Sequence, residues 1–194
     1  MPAHSRHAHA ASPATCPLTA DDLDSLPDGG RFYGIVDGAT TYLKEPDARH
    51  GFYTFRLLQR LGSYIEAHQL GFIGPEIHVV LNPERTTVLV PDIAFFQSDR
   101  MPRPLPRGYI YLVPDLVVEM LSPGNTRRIM AEKVGLYLEA GVPLVWVVDH
   151  ERRMVVAHRP GAKPVILHES DTLSGDDIVP GFRTPVAKLF DLGI

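Results

Sequence analysis

Apolar and polar positions follow a regular pattern over residues 114–149. Residues 116–121 and 144–148 are short, almost wholly apolar runs, which is typical of strands buried on both faces. Between them, residues 127–140 carry apolar side chains at helical spacing, and a Gly-Val-Pro sequence ends this helix. The pattern predicts a strand, a helix and a second, parallel strand, joined by a right-handed crossover.

Glu119 is the single charged residue of the first predicted strand. Because burying an unpaired carboxylate is costly, Glu119 must be paired, protonated or bound to a cation. Lys133 lies along the apolar stripe of the helix, between Met130 and Tyr137, and therefore points toward the sheet. At about 3.3 Å per strand residue and about 1.5 Å per helix residue, Glu119 and Lys133 both lie about 10 Å from the connecting turn. We expect the two charges to meet.

A second acidic residue interrupts another apolar segment. Residues 86–96, TTVLVPDIAFF, predict a strand whose two faces are apolar except at Asp92. Pro91 cannot donate to a sheet ladder, which favours an edge or a bulge beside Asp92. If the two strands are neighbours, the repulsion between Asp92 and Glu119 calls for a cation. Oxygen ligands completed by water suit Mg²⁺ or Mn²⁺, and Lys133 would steady the attacking water or the developing charge.

The same residues also admit a structural interpretation. In that interpretation Glu119 forms an ordinary ion pair with Lys133, and Asp92 caps a loop. Residue spacing alone does not decide between this interpretation and the metal site.

Other apolar patterns extend the prediction along the chain. They predict a short helix over 18–26, a hairpin over 32–43 that turns at Asp37-Gly38, a helix over 51–68, a strand over 76–81 and a terminal hairpin formed by 154–158 and 165–168. The predicted buried face of the second of these helices consists of Phe55, Leu58, Leu61, Gly62 and Ile65.

Composition narrows the class of protein. With 194 residues and 44% hydrophobic content, the chain is expected to form a single domain, residues 18–194, after a disordered leader, residues 1–17. The single cysteine, Cys16, leaves no internal disulfide, and no apolar run approaches the roughly 20 residues of a membrane span. We therefore expect a cytoplasmic protein. The net charge of −4 argues against strong nonspecific binding to nucleic acid but leaves a local basic patch open.

Four segments, VPDIAFF, PDLVVEMLSP, EKVGLYLEAGVP and LVWVVD, together resemble the Uma-two family of restriction-endonuclease-like proteins, within the PD-(D/E)XK nuclease superfamily. The similarity extends upstream to IVDGATTYL and to His50 followed by Leu57 and Leu61, so it covers most of residues 20–160. Superfamily members bind Mg²⁺ through an aspartate and a second acid, and a lysine completes the site. The resemblance implies that Asp92 and Glu119 have the metal-binding roles.

The chain departs from the superfamily pattern in two places. The usual lysine stands two residues after the second acid, but Leu121 occupies that position here. Relatives with this pattern supply the lysine from the following helix, where Lys133 matches. Gly34 stands where many relatives have an acidic residue. His50 either approaches the metal or the scissile phosphate, or acts as a helix cap or surface group.

Pattern and resemblance together predict an α/β domain of restriction-endonuclease-like type, with a mixed central β-sheet flanked by helices. The favoured function is hydrolysis of DNA phosphodiester bonds with Mg²⁺ (or Mn²⁺), in which Asp92, Glu119 and Lys133 are the catalytic residues. One alternative is a non-catalytic nucleic-acid-binding or regulatory protein with the same fold, which the net negative charge favours. The other is a structural homodimer whose buried charges form a salt bridge.

Overall fold

The computed structural model describes residues 16–43, 47–121 and 127–191. Residues 1–15 of the predicted leader lie outside these ranges, and so do residues 122–126, which include the predicted turn before the central predicted helix. Within the described ranges, no helix is both long enough and apolar enough to cross a membrane.

The helices are α1 Ala48–Ala67, α2 Arg127–Glu139 and α3 Ala187–Phe190. The strands, in chain order, are β1 Tyr33–Val36, β2 Ala39–Tyr42, β3 Gly71–Pro75, β4 Val79–Val80, β5 Val88–Leu89, β6 Ile93–Gln97, β7 Leu116–Met120, β8 Leu144–Asp149, β9 Met154–His158, β10 Val165–Leu167, β11 Thr172–Ser174 and β12 Arg183–Pro185. The short helix predicted at 18–26 is a 3-10 helix, Ala20–Ser25.

The largest sheet has six strands in the order β10-β9-β8-β7-β6-β3. β7 and β8 are parallel, whereas the other neighbours in this sheet are antiparallel. A second sheet has the order β2-β1-β5-β4, and β11 pairs with β12. The structure therefore confirms the predicted α/β class with a mixed central sheet.

The predicted strand, helix and parallel strand are β7, α2 and β8. Leu116 pairs with Leu144 and Met120 with Val148, and every residue of both strands is buried. Side chains along β7 point alternately to the two faces of the sheet. Leu116 and Val118 pack in the core on the α1 side, whereas Val117 packs in the core on the α2 side. The two helices thus cover opposite faces of the sheet, as continuous apolar strands require.

Both predicted hairpins are confirmed. β1 and β2 pair so that Val36 lies opposite Ala39, with Asp37 and Gly38 between them. The two turn residues have positive φ angles of 49° and 77°, the conformation that an Asp-Gly turn supplies with little strain. The second hairpin is formed by β9 and β10.

The buried face of α1 differs from the prediction. α1 begins at Ala48, three residues before the predicted start, and Phe55 is 59% exposed rather than buried. Leu61 and Ile65 are buried as predicted, and Leu57, which was not predicted, completes a buried stripe at a spacing of four residues. Phe55 is two residues from Leu57, or about 200° around the helix, and so lies on the outer face.

Residues 86–96 form two strands rather than the single predicted strand. β5 pairs within the four-stranded sheet, and β6 lies between β3 and β7 in the central sheet. Pro91 lies between them, and its lack of a backbone N–H stops the ladder there. Asp92 therefore lies in the break between the two sheets, not within a strand.

Two further strands differ from the prediction in length or presence. The strand predicted at 76–81 is reduced to β4, with two residues. β3 was not predicted, because its sequence GFIGP contains two glycines and a proline, residues that are depleted in strands.

The chain after β10 contributes to the core, although no element was predicted there. Leu173, Val179 and Phe182 are buried on the α1 side of the central sheet. The ring of Phe182 lies 6.2 Å from that of Trp146 and 5.6 Å from that of Tyr64. This segment thus closes one side of the domain.

The contrast between Phe182 and Phe55 gives a stability prediction. Phe182→Ala should destabilise the protein by about 3–5 kcal/mol, because it opens a cavity in a packed core. Phe55→Ala, the matched control at an exposed position, should change the unfolding free energy by no more than about 0.5 kcal/mol. Urea unfolding followed by circular dichroism measures both. Similar losses in the two variants would contradict this assignment of the core.

Candidate active site

Glu119 lies within β7 and faces α2, and its side chain is only 3% exposed. The Lys133 ammonium is 2.6 Å from Glu119 Oε1 and donates a hydrogen bond to Oε2 at 2.7 Å. The Tyr137 hydroxyl donates to Oε1 at 2.7 Å. Both partners come from α2, where they lie four residues apart and so on one face. The predicted meeting of Glu119 and Lys133 is present.

Lys133 also connects α2 to the break between the sheets. Its ammonium donates to the carbonyl oxygen of Val90 at 3.3 Å. Val90 is two residues before Asp92, so Lys133 lies between the two acidic segments. The side chain of Lys133 remains 23% exposed, and the ammonium lies at the boundary between the core and the solvent.

Asp92 is fixed to the residue that follows Glu119. Its Oδ2 accepts a hydrogen bond from the backbone N–H of Met120 at 2.5 Å. Its Oδ1 lies 2.9 Å from Nε2 of His50, and the Asp92 side chain is 17% exposed. The Asp92 carboxylate thus lies at the end of β7, beside the break at Pro91.

His50 is the site residue that the sequence pattern left undecided. Asp47 is the N-cap of α1, and its Oδ1 accepts from the His50 backbone N–H at 2.8 Å. The first turn of α1 then directs the imidazole at Asp92. The signal that would have indicated this is spacing, because His50 is seven residues before Leu57 and so continues the buried stripe of α1.

Burial and these contacts shift the pKa values of Glu119, His50 and Tyr137. Burial raises the pKa of Glu119 to about 7, Lys133 opposes this increase, and the nearby charge of Asp92 adds to it. Burial alone would lower the pKa of His50, but its hydrogen bond with Asp92 and the charge of that carboxylate outweigh burial and raise the pKa. Burial and the adjacent Glu119 hold the pKa of the Tyr137 hydroxyl well above its usual value.

Leu121 and Gly34, the two departures from the superfamily pattern, have clear structural settings. Leu121 packs against the α2-side core and so shares a sheet face with Glu119. Gly34 lies in β1, where a Cβ atom would come within 2.9 Å of the carbonyl oxygen of Val88. A side chain at this position would therefore require the backbone to shift.

The carboxylate oxygens of Asp92 and Glu119 are donors of the kind that Mg²⁺ or Mn²⁺ prefers. Over residues 16–43, 47–121 and 127–191, no group of three or more His, Cys, Asp or Glu side chains is arranged to hold a metal ion. Asp92 has one partner on each oxygen, and Glu119 Oε2 has one, so each of these oxygens retains a lone pair. Two carboxylates completed by water are the hard oxygen set that Mg²⁺ takes, so the residues present fit such an ion.

The architecture is that of the restriction-endonuclease-like fold. A solved structure with a similar fold, described as "a putative nuclease belonging to DUF820" from Anabaena variabilis ATCC 29413, aligns with a TM-score of 0.79. The alignment covers 90% of this chain and 98% of that chain, at 18% sequence identity.

The family model Uma2, described as "Putative restriction endonuclease", matches residues 20–187. The protein therefore belongs to the Uma2 family, as the sequence motifs predicted. The match includes His50, Asp92, Glu119 and Lys133, and it extends past β10 to residue 187. Among curated proteins, none matches the chain.

The raised pKa of Glu119 predicts a pH dependence of stability. The folded state binds this proton more tightly than the unfolded state, so the contribution to stability is fully present below the ordinary pKa of 4.5 and is lost as pH rises through about 7. Over that range the unfolding free energy of the wild type should fall by up to roughly 3 kcal/mol relative to Glu119→Gln, which cannot titrate. Urea unfolding in metal-free buffers measures this difference. A difference independent of pH would contradict the electrostatic account.

Proposed function

We propose that the protein is a metal-dependent endonuclease that hydrolyses phosphodiester bonds of DNA. Membership of the Uma2 family supports nuclease function. The single observation that carries the proposal further is the arrangement of Glu119 and Asp92. The Glu119 carboxylate is buried in β7. The Asp92 carboxylate lies in the break between the sheets and accepts a hydrogen bond from the amide of Met120, the residue after Glu119. Lys133 contacts both segments, through Glu119 and through the carbonyl of Val90.

Asp92 and Glu119 would hold Mg²⁺ or Mn²⁺. Such an ion polarises the phosphate and lowers the pKa of a water molecule bound to it. Tyr137 holds Oε1 of Glu119 in place, and Lys133 donates a hydrogen bond to Oε2. His50 and the Met120 amide restrict Asp92 in the same way, one on each oxygen. The carboxylates are thus oriented before any substrate arrives, which favours catalysis by preorganisation.

Lys133 stabilises negative charge as it develops on the phosphate or the attacking water. An ammonium group has three donors, and here they face the two oxygens of Glu119 and the carbonyl of Val90. Lys133 must therefore exchange one of these contacts for the phosphate or the water. Its partial exposure allows that exchange without unfolding of α2.

A second candidate is a non-catalytic nucleic-acid-binding or regulatory protein with a nuclease-like fold. The observation that favours it is the ion pair itself, since Lys133 contacts both oxygens of Glu119 and satisfies the carboxylate without a metal ion. Metal titration together with a cleavage assay separates the two candidates.

Asp92→Asn tests the metal site. Asparagine keeps an oxygen that accepts from the Met120 amide and an NH₂ group that faces His50, so the variant should fold. It should lose at least about 100-fold in Mn²⁺ affinity and in Mg²⁺-dependent cleavage, because one anionic ligand is gone. Calorimetric titration and cleavage of a labelled DNA measure the two effects. Wild-type Mn²⁺ binding in the variant would exclude Asp92 as a ligand.

Lys133→Ala tests the lysine from the helix. Its cleavage rate should fall about 100-fold or more, whereas Mn²⁺ affinity should change little, because the carboxylates remain. Arg128→Ala is the matched control, since Arg128 lies on the same helix in an exposed pair with Glu132.

Leu121→Lys in the Lys133→Ala background restores a lysine at the superfamily's usual position. Residue 121 shares a sheet face with Glu119, so partial recovery of cleavage is expected. Destabilisation of Lys133→Ala by about 3–5 kcal/mol without any recovery in the double variant would instead support a structural ion pair.

A further inference from the structure

A pocket of about 300 Å³ lies beside the edge strand β10, on the α1 side of the central sheet. Its floor is apolar and is formed by Leu144 and Trp146 of β8, Ala157 of β9, Leu167 of β10 and Leu173 of β11. Pockets that hold small molecules have volumes of roughly 300–1,000 Å³. This pocket is therefore large enough for a small ligand.

The pocket is separate from the candidate active site. Leu144 pairs with Leu116, which is four residues before Met120, the residue whose amide contacts Asp92. Four strand residues span about 13 Å. Glu119 also faces α2, whereas the floor of the pocket lies on the α1 side. An inference about this pocket does not depend on the nuclease proposal.

Trp146, on the floor of the pocket, has an unsatisfied donor. Its side chain is fully buried, and its indole N–H has no acceptor within the described part of the chain. Leaving a buried donor unpaired is costly. A ligand that places an oxygen beside this ring would remove that cost.

The rim of the pocket is positively charged. Its charged residues are Arg159, Lys163, Arg183 and Asp176. Arg159 forms ion pairs with Asp176 at 3.1 Å and with Asp177 at 3.0 Å. Lys163 and Arg183 are exposed, and neither has an ion-pair partner within the described ranges. Two positive charges of the rim are therefore not balanced by the lining.

Two further acids of this region have other contacts. Glu169 pairs with Arg153, and Asp171 accepts the backbone N–H of His168 at 2.7 Å. Neither carboxylate lines the pocket, so the charge at its mouth stays positive.

We propose that this pocket binds a small organic anion. The apolar body of the ligand lies on the floor around Trp146, and its charged group, such as a carboxylate or a phosphate, meets Lys163 and Arg183. Burial of the apolar body supplies affinity, and the two cations fix the orientation of the ligand. An apolar floor with a few charged groups at its rim is the usual composition of a small-molecule site.

The test uses two fluorescent probes that share a ring system and differ in charge. 8-Anilinonaphthalene-1-sulfonate is an anion, whereas N-phenyl-1-naphthylamine lacks the sulfonate and is neutral. Trp146 is the only tryptophan of the chain, so quenching of its fluorescence reports binding of either probe to the native protein. The wild type should bind one molecule of the sulfonate per chain, and variants locate the site.

Lys163→Met/Arg183→Met removes both unbalanced charges. It should weaken sulfonate binding at least about 5-fold and leave binding of the neutral probe unchanged. Arg103→Met/Arg107→Met is the matched control, because it removes two positive charges from exposed residues that do not line the pocket. It should leave both probes unaffected. Ala157→Leu places a larger side chain on the floor and should weaken binding of both.

Several outcomes would overturn the proposal. They are absence of saturable sulfonate binding by the wild type, unchanged sulfonate binding in Lys163→Met/Arg183→Met, and an equal loss in the arginine control. An equal loss of both probes in Lys163→Met/Arg183→Met would also overturn it, because the sulfonate would then not be the group recognised. Sedimentation showing a dimeric wild type that dissociates when the sulfonate is added would assign the pocket to a second copy of the chain.

Discussion

Burial of the Glu119 carboxylate is the constraint on which the rest of the site depends. β7 is covered on both faces because it lies in the middle of a mixed sheet, and an acid at its fourth position has no access to bulk water. The chain compensates with two donors from a single helix, Lys133 and Tyr137. α2 therefore has two functions, since it closes the hydrophobic core and also satisfies the charge inside it.

The break at Pro91 is the second feature that the site requires. An uninterrupted ladder would have continued the register of β6 and β7, in which Ile93 lies opposite Val118, and so would have paired Asp92 directly with Glu119. The break instead ends one sheet, begins another and frees the Asp92 carboxylate to accept from the Met120 amide. The carbonyl of Val90, on the other side of the proline, becomes a partner for Lys133. A local property of one residue type thus organises contacts among β5, β6, β7 and α2.

Sequence patterns predicted much of this arrangement, and the failures have physical causes. The strand, helix and strand around Glu119 were predictable because continuous apolar runs and helical spacing are strong signals. The contact between Lys133 and Glu119 was predictable because the rise per residue of a strand and of a helix places both residues about 10 Å from the connecting turn. The split of residues 86–96 was not predicted, because both halves are apolar and only the pairing partners distinguish them. Phe55 was assigned to the wrong face and His50 was left undecided, because the phase of α1 is set by Leu57, Leu61 and Ile65 and a shift of two residues exchanges its faces. The buried segment after β10 has short strands with little periodicity, so its packing depends on tertiary contacts.

The dispersal of the site residues along the chain has a consequence for biosynthesis. The contact between His50 and Asp92 spans 42 residues, and the contact of Lys133 with Val90 spans 43, whereas Lys133 and Glu119 are separated by only 14. A nascent chain that has folded only β7, α2 and β8 holds the ion pair but lacks the second carboxylate. Contacts between distant segments form late because closing long loops is entropically costly. The contact that brings the two acidic segments together, from the Met120 amide to Asp92, spans 28 residues, so a chain that has folded only β7, α2 and β8 does not present the paired carboxylates to nucleic acid around it.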